Sequence, residues 1–231
     1  MISTRIAEER VRAVAGSVVL EGNLGVPEDA LGVVLFAHGS GSSRNSPRNR
    51  FVAGALREHG LATLLIDLLT RSEELAEVQT GYLRFDIELL AERLSGVTDW
   101  LSANPSTERL PIGYFGASTG AAAALVAAAE RPQQIKAVVS RGGRPDLAAA
   151  ALQRVRSPTL LIVGGNDAPV ITLNELAFEQ LGTTEKRLEI VPGATHLFEE
   201  PGALEQVAQL ASEWFGRYLP QESRPRRPAS I

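Results

Sequence analysis

The sequence predicts an α/β fold: a mostly parallel, twisted sheet with helices on both faces and no large cap domain. Three observations lead there. Short apolar runs of strand length alternate with stretches of helical periodicity, the pattern of a parallel sheet covered on both sides. The pentad Gly116-Ala117-Ser118-Thr119-Gly120 lies between one such run, residues 110–115 (LPIGYF), and an alanine-rich helical stretch at 121–130. The chain has 231 residues, 44% of them hydrophobic, which suits one α/β domain with a full core.

Taken in order, residues 10–14 and 17–24 alternate apolar and polar side chains and predict two antiparallel edge strands. Residues 32–37 (GVVLFA) predict a fully buried strand, followed by a loop rich in glycine and serine. Helical spacing over 48–59 stops at Gly60, a C-terminal cap. Residues 61–66 (LATLLI) form the next strand. The stretch 68–81 (LLTRSEELAEVQTG) is longer than an ordinary strand-to-helix loop. It reads either as a wall or partial lid over a pocket, or as an extra turn of surface helix. A long amphipathic helix is expected over 83–104, ending before Pro105. After the pentad and its helix come strands at 135–140, 158–163 and 187–191, with helices near 170–181 and 204–219. The expected domain is 1–219. The tail 220–231 (PQESRPRRPASI) has the composition of a disordered segment.

Composition excludes several classes. The chain contains no cysteine, so disulfides, thiolate metal sites and a cysteine nucleophile are ruled out. That absence suits a cytoplasmic protein. The first residues carry no apolar segment of signal-peptide length. The longest uncharged stretch, 110–129, is broken by Pro111 and three glycines, so no membrane span and no membrane partner are expected. A formal net charge of −4 gives no electrostatic reason to bind nucleic acid.

A G-x-S-x-G pentad between strand and helix is the nucleophile elbow of the α/β-hydrolases. Its tight turn exposes the Ser118 hydroxyl, and the helix that follows points its N–H groups at any anion formed beside it. Serine needs a base. Of the three histidines, His59 ends a surface helix as a capping cation, and His38 opens the loop after the first buried strand. His196 follows the last strand and is the expected base. Asp167, after residues 159–163 (TLLIV), is the expected carboxylate that orients it. Ser118, Asp167 and His196 then occur in the order nucleophile, acid, base, separated by 49 and 29 residues. Asp67 lies before the nucleophile, where an Asx-type turn suffices for it. The backbone N–H groups of Thr119 and Ser40 are the expected oxyanion donors. No metal or cofactor is required, and the loop at 39–43 lacks the lysine and spacing of a nucleotide fingerprint.

Several segments carry a family resemblance. HGSGSSRNSPRNR (38–50), GASTGAAAAL (116–125), VSRGGRPDLA (139–148), LLIVGGND (160–167) and VPGATHLFEEPG (191–202) together resemble the dienelactone hydrolase-like branch of the α/β-hydrolase superfamily. The resemblance runs over about residues 10–219. Within that branch the chain is similar to small, uncapped hydrolases that also occur fused to a phosphoribosyltransferase domain, a domain not expected here. Dienelactone hydrolase proper uses a cysteine in its elbow, whereas this chain has Ser118. The HG-x start of the loop at His38 resembles the oxyanion loops of esterases and lipases, which implies that His38 anchors that loop or touches substrate.

The remaining candidates are ambiguous from sequence. Arg141 either receives a substrate carboxylate or pairs with Asp146. Leu197 and Phe198 either line an acyl pocket or pack in the core, and the same holds for Tyr82 and Phe85. The expected function is hydrolysis of small or short-chain carboxylic esters, extending to lactones or thioesters, through an acyl-enzyme on Ser118. The alternatives are attack on another electrophile, such as a phosphotriester or acyl peptide, and a small-ligand binder without chemistry. No oligomeric state is implied.

Overall fold

The computed structural model describes residues 7–220; the expected tail beyond Pro220 lies outside the described residues. Eight strands form one sheet: β1 (Glu9–Ala15), β2 (Val18–Gly25), β3 (Val33–Ala37), β4 (Ala62–Ile66), β5 (Ile112–Ala117), β6 (Ile135–Arg141), β7 (Thr159–Gly164) and β8 (Lys186–Val191). Their order across the sheet is β1-β2-β4-β3-β5-β6-β7-β8. The first two pairings, β1 with β2 and β2 with β4, are antiparallel, and all others are parallel. Only β1 of the first hairpin is an edge strand. β2 is interior, its residues Gly22 to Gly25 pairing with Ile66 to Thr63. Alternating polarity marks a half-exposed antiparallel strand and does not distinguish the outermost from the next.

The central strands read as continuous apolar runs because both faces are covered. β3, β4, β5 and β7 are buried at every residue. On one face lie α1 (Pro47–Glu58) and α6 (Ala203–Tyr218), closing over Phe36, Phe115, Val139 and Ile162. On the other lie α3 (Ile87–Ala103), α4 (Thr119–Glu130) and α5 (Ala168–Gln180), closing over Leu35, Leu64, Tyr114 and Leu161. The alanines of α4 are buried around the whole helix, which its small side chains permit between sheet and neighbours.

Two segments refine the expected elements. The stretch at 68–81 contains α2 (Arg71–Thr80), held at its start by a capping box in which the Thr70 hydroxyl accepts from Glu73 N–H and the Glu73 carboxylate accepts from Thr70 N–H. The helix expected over 83–104 is broken. Leu83–Phe85 is a 3-10 turn, and Asp86 then caps α3 by accepting from Leu89 N–H at 3.0 Å. An aspartate inside a helical pattern competes with the helix for backbone donors and favours a new start. Tyr82 and Phe85 are exposed, belonging neither to the core nor to a pocket. No helix among the described residues is long and apolar enough to cross a membrane.

Candidate active site

The chain leaves β3 toward β4 on one side and returns to β5 on the other, so strand order reverses between β3 and β5. In such sheets the crevice outside the carboxyl ends at this reversal is where ligands bind. Both ends carry predicted site residues: His38 and its loop follow β3, and Ser118 follows β5.

Ser118 sits at φ 51° and ψ −122°, a conformation strained for any residue with a side chain. The flanking glycines permit the turn. A Cβ on Gly116 would lie 2.4 Å from Ala121 Cα, and one on Gly120 would lie 2.3 Å from Ala37 O. Strand, helix and the loop after β3 therefore converge on the serine closely enough that only hydrogen fits. The serine N–H donates to Arg141 O at 3.3 Å, fastening the elbow to β6. Among the described residues the Ser118 hydroxyl makes no hydrogen bond.

Asp167 and His196 are brought together. Asp167 stands at the N-cap of α5, yet its carboxylate does not cap the helix. It accepts instead from His196, with Nδ1 and Oδ2 at 2.6 Å. Asn166 sets the register of the two loops, its N–H donating to Ala194 O and its amide to Gly193 O. With Nδ1 as donor, the neutral imidazole keeps Nε2 as an acceptor for a proton.

His38 anchors the loop after β3. Its Nε2 accepts from Leu68 N–H at 3.2 Å, so Nδ1 carries the proton donated to Gly39 O at 3.0 Å. Burial pushes its pKa below the usual histidine value. Gly39 runs against the nucleophile, where an added Cβ would lie 2.9 Å from Ser118 Cβ. Ser40 N–H, expected to be an open oxyanion donor, is engaged: it donates to Thr119 Oγ1 at 3.0 Å. Thr119 N–H, the first of α4, has no acceptor among the described residues.

Beside this loop lies a cavity of about 250 Å³, bounded by His38 to Ser42, Thr119, the apolar side chains of Leu68, Leu69, Val78 and Leu90, and Glu74, Glu77 and Arg84. α2 thus forms a wall of the cavity and is also an added surface helix, so both readings of that segment hold. Glu77 is committed to the wall, accepting from Arg84 Nε and Leu83 N–H. Burial, with repulsion from Asp67, holds Glu74 above the usual carboxylate range.

Three pocket candidates lie elsewhere. Side chains on β6 alternate faces, and Arg141 points with Val139 toward α1 and α6. It is 7% exposed, donates to Asn49 Oδ1 at 3.3 Å and stands 5.9 Å from the centre of the Phe198 ring. Asp146, its expected partner, pairs with Arg144 through two bonds of 2.9 and 2.8 Å on the other face. Phe198 is core and Leu197 is exposed; neither borders the cavity. Asp67 is no Asx turn: it accepts from Arg44 N–H at 2.6 Å and pairs with the Arg44 guanidinium, which also reaches Glu21. Arg44 returns to the end of β4 only in the fold, so no sequence signal announced this pair.

Residues 20–219 match the model of the dienelactone hydrolase family. The chain belongs to the dienelactone hydrolase family. Its sheet and helices are those of the family's α/β-hydrolase fold, which makes the protein a hydrolase by family. The crystal structure of dienelactone hydrolase from Anabaena variabilis is 66% identical, with a TM-score of 0.91, covering 93% of this chain and 99% of that one. A Mycobacterium tuberculosis H37Rv protein named as a phosphoribosyl transferase is 58% identical over 214 residues, which are 93% of this chain and 47% of that protein. The chain thus spans about half the length of the curated relatives it matches. Est1E from Butyrivibrio proteoclasticus shares the fold at 17% identity and a TM-score of 0.74, covering 90% of this chain and 98% of that one.

Proposed function

We propose that this member of the dienelactone hydrolase family is a serine esterase, cleaving small carboxylic esters through an acyl-enzyme on Ser118. The observation that carries the reading is the pairing of a strained, half-buried serine on an elbow, its hydroxyl unpaired among the described residues, with the 2.6 Å bond between His196 and Asp167. His196 Nε2 takes the Ser118 proton as Oγ bonds the ester carbon. The tetrahedral oxyanion forms at the start of α4, beside Thr119 and the loop of Ser40. The C–O bond to the alcohol breaks, and the alcohol leaves with the proton from His196. Water then repeats the sequence and releases the acid. Asp167 holds the ring in the tautomer that both halves need.

A cavity of about 250 Å³ with apolar walls favours small, uncharged acyl groups. Among the described residues its one cation is Arg84, which already pairs with Glu77. Lactones and thioesters react by the same steps. The relative from Anabaena variabilis is named for dienelactone, but a serine nucleophile and acid-rimmed cavity support simpler esters here. The test is a p-nitrophenyl ester series, acetate to decanoate, on wild type and Ser118→Ala. Activity that disappears with Ser118, at unchanged melting temperature, is the expected result. Equal activity in Ser118→Ala would remove the mechanism.

A further inference from the structure

We propose that the Thr119 hydroxyl is itself a donor to the tetrahedral oxyanion, so that one residue contributes both an amide and a hydroxyl to the hole. The inference rests on the Ser118 reading above. A threonine hydroxyl has one proton and two lone pairs. Thr119 Oγ1 already accepts the Ser40 N–H at 3.0 Å, so its own proton is directed elsewhere. Among the described residues that proton has no acceptor, although Thr119 is only 2% exposed. Buried hydroxyls ordinarily place their proton as well as their lone pairs, and one whose proton has no acceptor marks a position open to an acceptor.

The location names the acceptor. Thr119 follows the nucleophile directly, begins α4 and borders the cavity. Its amide N–H is likewise without an acceptor among the described residues. Two open donors on one residue, beside Ser118, fit an oxygen that becomes negative when Ser118 Oγ bonds the carbonyl carbon. The Ser40 bond completes the arrangement. An N–H donated to Oγ1 polarises the hydroxyl and strengthens its outgoing bond. Gly39, pressed against Ser118, holds Ser40 in place to do so. The Ser40 amide, expected to reach the oxyanion directly, acts through Thr119 instead. No proton is transferred in this role; the hydroxyl keeps its hydrogen and donates it in a bond that is strongest in the transition state.

The test compares Thr119→Val, which keeps the shape and removes the hydroxyl, with Thr119→Ser, which keeps it. kcat and KM are measured on p-nitrophenyl acetate, together with the affinity for a trifluoromethyl ketone, whose adduct with Ser118 bears the same oxyanion. Thr119→Val should lose about 10²-fold in kcat and a similar factor in ketone affinity, with KM within roughly threefold, as for removal of one oxyanion donor. Thr119→Ser should restore most of the loss. A Thr119→Val enzyme as active as wild type, or faster because Ser40 N–H is freed, would overturn the proposal. So would a loss that Thr119→Ser does not restore, with KM and melting temperature displaced too, since that is a misplaced loop. Ser118→Ala in the same assay separates the two claims. If it is inactive while Thr119→Val is normal, only the hydroxyl's role fails; if it is fully active, the esterase reading fails first.

Discussion

His196 Nδ1 and Asp167 Oδ2 stand 2.6 Å apart, joining the loops after β8 and β7 across 29 residues of chain. Asparagine at 167, with its amide N–H turned to Nδ1, would favour the wrong tautomer, and in either orientation its neutral amide would stabilise the imidazolium far less than a carboxylate does. Asp167→Asn should therefore lower kcat by up to about 10⁴-fold while leaving the fold intact. Ester kinetics beside a thermal melt decide this. Near-normal turnover would make another carboxylate, with Glu199 the first to examine, the partner of His196.

Gly120 allows α4 to pass the end of β3. A methyl group there would meet Ala37 O at 2.3 Å and His38 O at 2.4 Å, both backbone atoms that cannot swing away. Gly120→Ala should destabilise by about 1–3 kcal/mol, the range of overpacked sites. Because the displaced carbonyl belongs to His38, kcat should fall as well. Urea denaturation and ester kinetics measure the two effects, and unchanged values in both would show that the loop yields freely.

The His38 ring accepts at Nε2 from Leu68 N–H, a bond that protonation would abolish. Burial lowers its pKa from the ordinary 6.5. Between that value and the lower folded-state value, the unfolded chain holds a proton that the fold does not, so stability falls as pH drops through this window. Above the window the penalty is absent. Melting temperatures of wild type and His38→Asn from pH 7.5 to 5 should diverge, the wild type falling more steeply. Parallel curves would assign the acid sensitivity to other groups.

Arg141 carries a buried guanidinium whose Nε and Nη1 have no partner among the described residues, with Arg48 nearby. Burial first, and then Arg48, push its pKa down to about 10. A charge so placed destabilises the fold, and replacing buried charge by an apolar side chain of similar length commonly stabilises by roughly 1–4 kcal/mol. Arg141→Met should raise the urea midpoint. A lower midpoint would mean that the bond to Asn49 and the cation–π contact with Phe198 outweigh the burial of charge.

The features legible in the sequence are those encoded by neighbours along the chain. Alternating apolar runs and helical stretches revealed the strands and helices because burial imposes a period on each. The pentad around Ser118 gave away the elbow because strain at the serine requires small residues at fixed offsets. Two further local signals were present and decide elements: Thr70 with Glu73 as the box that starts α2, and Asp86 as the cap that divides the helix expected over 83–104.

By itself, then, the sequence determined the layered sheet, the elbow and the chain order of Ser118, Asp167 and His196, each a matter of period or spacing. Tertiary structure alone decided which side chains meet across loops. It turned Arg141 to the α1–α6 face, gave Asp67 to Arg44, and put Ser40 N–H on the Thr119 hydroxyl. The physical reason is that side-chain direction and partner choice depend on strand parity and loop closure, and residues far apart in sequence compete for the same donors only once the sheet has brought them within reach.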